Sequence, residues 1–257
     1  MKRFTLMALS LLAALSSTAY DFKDGNCYYT ITSLSDLTVA LTNSGENVSS
    51  DNWWEESYVA CYGGEFRVPE TASYAGKTFT VTSIESIAFL NCSFSRLTIP
   101  ETILSASISG TVVDLVVEDS DIPLSEFRAS AKSVYMGRNI SEYWSYSFSG
   151  SDVESVTFGD KVTYISREEF SECTNLASVT LSDNVQEIYE NAFHDCPRLK
   201  HISGKGIVRI GTQAFCNCIS LETFDFPNLK RIEDGDSQRG TYRWGVFQGC
   251  ISLKNAI

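Results

Sequence analysis

Ile165-Ser166-Arg167-Glu168-Glu169-Phe170-Ser171-Glu172-Cys173 decides the fold, because the same frame returns twice. Ile188-Tyr189-Glu190-Asn191-Ala192-Phe193-His194-Asp195-Cys196 follows 23 residues on, and Ile210-Gly211-Thr212-Gln213-Ala214-Phe215-Cys216-Asn217-Cys218 follows 22 after that. Each reads Ile, four residues, Phe, two residues, Cys. Leu176, Leu199 and Leu221 then sit three after the Cys, and Val179, Ile202 and Phe224 three further on. Leu181 and Phe226 lie two beyond, where Gly204 is a gap. A fixed period in the low twenties is the mark of a stacked repeat.

The frame extends both ways. Upstream, Tyr143 and Phe148 take the Ile and Phe places, Ser151 the Cys place, and Val153, Val156, Phe158 and Val162 continue it. Earlier still, Ile84, Ala88, Phe89 and Cys92 lead to Phe94, Leu97, Ile99 and Ile103. Downstream, Phe247, Cys250 and Leu253 match after an insertion at 233–243. Across 104–142 the Phe and Cys slots are lost, yet Leu115-Val116-Val117 and Val134-Tyr135-Met136 keep the look of strands. The first inward strand positions are then 97, 115, 134, 156, 179, 202 and 224, with steps of 18, 19, 22, 23, 23 and 22.

That series predicts seven stacked coils, two of them shortened. Val179 and Leu181 alternate with Ser178, Thr180 and Ser182, the period of a strand buried on one face. One coil cannot bury its apolar side alone, so neighbours stack and pair their strands in parallel, roughly 4.8 Å apart. The fold class expected is a repeat solenoid, mainly parallel β with short turns or helical segments, behind a small β-rich cap at 20–83. The solenoid is expected over 84–257. Its last coil runs to Ile257 with no polar cap in sight, and is expected to fray or dimerise unless the gene product is truncated.

The repeat also accounts for most of the eight cysteines. Cys92, Cys173, Cys196, Cys218 and Cys250 share one slot flanked by Phe and Leu, which reads as an inward ladder of small hydrophobic thiols rather than disulfides or metal ligands. Cys216 lies outside the slot and is expected at the surface. Cys27 and Cys61 precede the repeats and are the disulfide candidates.

Lys2 and Arg3, the apolar run Leu6 to Leu15, and Ser17-Thr18-Ala19 read as a secretory signal with cleavage after Ala19. The run is too short to span a bilayer, and no membrane insertion is expected after cleavage. Without Lys2 and Arg3, 18 basic residues face 32 acidic ones, a net charge of −14. Such acidity argues against nucleic acid and anionic lipid as partners. The expected location is secreted or at the cell surface.

These residues resemble the BspA-like leucine-rich-repeat family, whose unit reads Ile-Gly-x-x-Ala-Phe-x-x-Cys-x-x-Leu-x-x-Val-x-Leu-Pro. Ile210-Gly211 through Pro227 fits almost completely, and Leu97-Thr98-Ile99-Pro100 ends as the family's strand does. Asp24 to Thr32, and Val68-Pro69-Glu70-Thr71 with Tyr74 to Ile84, are similar to the family's lead-in. The segment Leu41–Tyr62 departs from it. The resemblance implies a secreted or surface-attached protein with an adhesin-like role.

Catalytic chemistry finds little support. The only histidines are His194 and His201. His194-Asp195-Cys196 has the residue types of a thiol nucleophile, but the repeat turns Cys196 inward. Glu118-Asp119-Ser120-Asp121 and Glu233-Asp234-Gly235-Asp236 lack the alternating ligands of a calcium loop. No enzyme, cofactor or metal is expected. The outward sheet positions are the candidate binding surface: Arg96, Thr98, Ser155, Thr157, Ser178, Thr180, His201, Ser203, Thr223 and Asp225, in two hydroxyl-rich columns. The partner expected there is a host or bacterial surface protein. Trp53 and Trp54, with Trp244 behind them, are the aromatic alternative for a glycan. A passive place in a secreted assembly is the third reading.

Overall fold

The computed structural model describes residues 20–45, 47–48, 57–58, 62–141, 146–233 and 245–254. The signal segment 1–19, Trp53, Trp54, Cys61, Tyr143 and Trp244 lie outside the described residues, as does nearly all of the 233–243 insertion.

The chain winds into a β-solenoid whose long sheet runs Gly63–Arg67, Ser93–Ile99, Thr111–Val117, Ala131–Met136, Ser155–Phe158 and Ser178–Thr180, all parallel. His201–Ser203 and Thr223–Asp225 continue it as a separate parallel pair. The inward residues align as the spacing predicts: Leu97 with Leu115, Leu115 with Val134, Val134 with Val156, and Val156 with Val179. The degenerate stretch therefore holds two true coils. Their strands are of full length, and residues are lost only on the return path.

A second sheet covers the other side. Thr38–Thr42, Lys77–Ile84, Ser105–Ser107 and Glu126–Arg128 run parallel, with the antiparallel strands Phe22–Asp24 and Cys27–Ser33 at one end and Thr71–Tyr74 against Lys77–Ile84. Leu124 bridges to Ile140, and the Ser166 hydroxyl donates to the Ile140 carbonyl (2.7 Å). From there Tyr164–Ile165, Glu187–Ile188, Arg209–Ile210 and Arg231–Ile232 form a ladder of two-residue strands. The described residues contain no α-helix. Parallel pairing does not stop at residue 84: Phe66 aligns with Leu97, so the first strand of the long sheet lies inside the segment read as a cap.

The core between the sheets is a column of rings. Phe148, Phe170, Phe193, Phe215 and Phe247 stack with centroids 5.0, 5.8, 5.5 and 5.5 Å apart and planes within 15° of parallel. Each ring rides on a backbone amide that bonds the next coil: Phe148 to the Glu169 carbonyl, Phe170 to Ala192, Phe193 to Ala214 and Phe215 to Val246. The cysteine slot completes the link in the other direction. The thiols of Cys173, Cys196, Cys218 and Cys250 donate to the carbonyls of Phe148, Phe170, Phe193 and Phe215, the Phe of the preceding coil (3.0–3.2 Å). A small side chain with one weak donor is what this slot needs.

The turn between ring and thiol is sharp, and it sets a backbone demand. The residue before each Cys slot is left-handed in every full coil: Asn91, Gly150, Glu172, Asp195, Asn217 and Gly249, with φ between 56° and 77°. Asn, Asp and Gly tolerate that region, and Glu172 is the strained exception.

Two buried polar residues break the pattern. Arg138 is fully buried and reaches back two coils, donating to the carbonyls of Pro100 (2.8 Å) and Glu101 (3.0 Å) while its Nε has no partner. Burial pulls its pKa down to about 10. Glu169 takes the place that Ala192 and Ala214 hold in the next coils. It is buried, and its Oε2 accepts the Ser166 N–H (2.8 Å). Burial pushes its carboxyl up to about 8.

Phe193 is sandwiched between two rings, so Phe193→Ala should cost about 3–5 kcal/mol in denaturant unfolding. The Glu169 carboxyl is neutral in the fold at a pH where the unfolded chain has ionised it, near 4.3. Its stability contribution is therefore full below about pH 4 and is lost as pH rises through about 8. Thermal melts should show Glu169→Ala gaining on the native protein over that window, with little difference at its acid end.

Candidate binding face

The outward side chains of the long sheet form two columns because a parallel ladder in register repeats its alternation coil after coil. One column runs Glu65, Arg96, Asp114, Ser133, Ser155 and Ser178. The other runs Arg67, Thr98, Val116, Tyr135, Thr157 and Thr180. His201 with Thr223, and Ser203 with Asp225, extend them on the final pair.

Arg96, Thr157, Thr180, His201, Ser203 and Asp225 are exposed and Thr98 is partly covered. The structure thus brings all seven onto one face. Sequence reading passed over Asp114, Ser133 and Tyr135, which sit between them. Their signal was present in the alternation of Leu115 and Val117, and of Val134 and Met136, but the missing Phe and Cys slots obscured it.

The face carries a charged end and a hydroxyl end. Arg96 pairs with Asp114 (2.8 Å), whose second oxygen accepts from Ser133 (2.7 Å). Tyr135 donates to Asp119 (2.9 Å), which raises its pKa after the larger effect of desolvation. Arg67 is tied to Glu70 and Glu118. At the other end His201 Nδ1 lies 2.6 Å from the Thr223 hydroxyl. Between them Ser155, Thr157, Ser178 and Thr180 make no side-chain hydrogen bonds among the described residues, so their hydroxyls face outward without a partner there.

The other candidates are not assembled into a site. Cys196 faces the core, and burial holds its pKa well above the ordinary thiol value. His194 Nδ1 instead lies 2.9 Å from Asp195 Oδ2, apart from the thiol. Asp119 and Asp121 are occupied by Tyr135 and Lys161, and Glu233 by Arg209 and Arg231. No cluster of metal-ligating side chains occurs among the described residues. Cys27 is a buried thiol here; Cys61 lies outside the described residues.

Cys92, Cys173, Cys196 and Cys218 are buried and Cys250 is half-buried. Cys216, expected at the surface, is buried as well. Its slot, two before the Cys, is squeezed between coils: the Asp195 amide bonds the Cys216 carbonyl, and Ser171 in the same place is also buried.

With this geometry in hand, comparison with known proteins decides the family. The model of the BspA type leucine rich repeat region matches in six copies over residues 76–109 and 126–238. The chain belongs to the BspA-type leucine-rich-repeat family. Similar solved structures include a leucine rich cell surface protein from Faecalibacterium prausnitzii, at 19% identity and TM-score 0.47, covering 89% of this chain and 60% of that one. The Treponema pallidum leucine rich repeat protein matches at 27% identity and TM-score 0.41, covering 48% and 56%. The pneumococcal vaccine antigen PcpA matches at 16% identity and TM-score 0.44, covering 82% and 50%. This chain thus spans half to three-fifths of those chains. No curated protein matches it. No helix among the described residues is long and apolar enough to cross a membrane.

Burial pushes Cys173 and Cys250 up to about 11, and Cys218 higher. A maleimide at neutral pH should leave Cys173, Cys196 and Cys218 unlabelled in the folded protein and label all three in denaturant, read by peptide mass. Labelling of any of the three in the folded state would contradict the inward ladder.

Proposed function

We propose that this chain is a secreted or cell-surface, non-catalytic binding protein that engages a protein partner through the outward face of its long sheet. The observation that carries the reading is the in-register alignment of that face, which holds from Glu65 onward. Six parallel strands present two straight columns of side chains, charged at one end and hydroxyl-rich at the other. Such a surface is preorganised, so a partner loses little free energy in ordering it. Membership of a family of repeat proteins supports a scaffold role, since solenoids use extended faces for recognition. The apolar segment Leu6 to Leu15 behind Lys2 and Arg3 supports export.

Purified chain should bind saturably to one or more of a panel of immobilised host and bacterial surface proteins. Arg96→Ala combined with His201→Ala should weaken that binding at least about tenfold, the loss expected for charge-assisted contacts at a preformed face. Unchanged affinity in the double variant would remove the face from the account.

A further inference from the structure

The two shortened coils have a consequence on the side of the solenoid opposite the long sheet. A full coil spends its return path on the Ile-to-Cys turn, as at 84–92 and 165–173. The coils stepping 97 to 115 and 115 to 134 replace that turn with the three-residue strands Ser105–Ser107 and Glu126–Arg128. Less chain on that side leaves a notch between full-length neighbours. The notch is a groove of about 580 Å³, walled by Ile84 on one side and Tyr146 on the other. Its volume falls within the range of small-ligand sites.

Ala106 and Phe127 point inward, so the floor shows Ser105, Ser107, Glu126 and Arg128. Ser105 is in register with Glu126, and Ser107 with Arg128. The four side chains stand at the corners of a rectangle about 4.8 Å by 7 Å. Arg128 is singular in its surroundings. Every other described arginine is engaged: Arg67, Arg96, Arg167, Arg209 and Arg231 in ion pairs, Arg198 with Asn175, and Arg138 with main-chain carbonyls. Among the described residues Arg128 has no ion-pair or side-chain hydrogen-bond partner, and neither has Glu126 beside it. A guanidinium fork is suited to a carboxylate, a nearby Glu accepts from hydroxyls, and a half-exposed tyrosine offers a ring face to a pyranose.

We propose that the notch is a saccharide site for a sugar that carries a carboxylate. Arg128 grips the acid group, Glu126 and the two serines bond ring hydroxyls, and Tyr146 flanks the ring. The site is independent of the long-sheet face, and its charged side chains can be replaced without breaking a described contact: Arg128 and Glu126 hold their neighbours through the backbone alone.

Isothermal titration of the purified full chain with 3′-sialyllactose and with trigalacturonic acid tests it, with lactose and inorganic phosphate as comparison ligands. At least one acidic sugar should bind, about tenfold more weakly to Arg128→Ala. Glu126→Gln should weaken it too, and Arg96→Ala should not. Neither acidic sugar binding, lactose or phosphate binding as well as the acidic sugars, or Arg128→Ala binding like the native chain would each overturn the proposal. The Arg96 and His201 variants, assayed against protein partners, report on the other face separately.

Discussion

From Phe148 onward the solenoid depends on one link, the amide of a buried phenylalanine bonding the backbone of the next coil. Stacked chains must sit at the strand spacing, and at that spacing every N–H and C=O is aimed at a neighbour. A side chain inside must then repeat in every coil or leave a void or an orphan. The ring column fills the space. The phenylalanine carbonyl meets the thiol of that same following coil. Apolar burial and hydrogen bonding are thus satisfied by the same two residues, Phe and Cys, spaced three apart. The left-handed residue before each Cys turns the chain so that both point inward.

Where the repeat is broken, the substitutions are informative. Glu169 sits in an alanine slot with one N–H donor and is held largely neutral by burial. Such a group resists ionisation, so it ties the stability of the central coil to pH. Arg138 does the opposite service in the shortened region. It spans two coils to the carbonyls of Pro100 and Glu101, alongside the backbone links from Gly137 to Val117 and from Glu118 to Ile99. The notch over Ser105 and Glu126 follows from the shortened return path.

Much of the fold was legible because burial is repeated and therefore visible in a single chain. Leu97, Leu115, Val134, Val156 and Val179 align as their spacing required, even through the coils without Phe or Cys. Gly63–Arg67 escaped notice because it is an end strand with a register shift between Gly64 and Glu65, and only Phe66 is partly buried. The return-path strands were missed because two residues are too few to show a period. The left-handed turns did leave a trace in Asn91, Gly150, Asp195, Asn217 and Gly249, which Glu172 interrupts. Cys216 was misplaced because covering by adjacent coils is a property of the stack, not of the local pattern. Of the binding face, the outward columns could be read directly. Their ion pairs could not, since Arg96 meets Asp114 only once the degenerate strand is placed beside it.

Amide hydrogen exchange at the phenylalanines tests the central link most directly. Phe148, Phe170, Phe193 and Phe215 should exchange together, slowed roughly 10⁴-fold or more relative to a free peptide, because opening any one of them requires separating two coils. An amide in this set exchanging at the free-peptide rate while the others stay protected would mean that the coils are not joined through their rings.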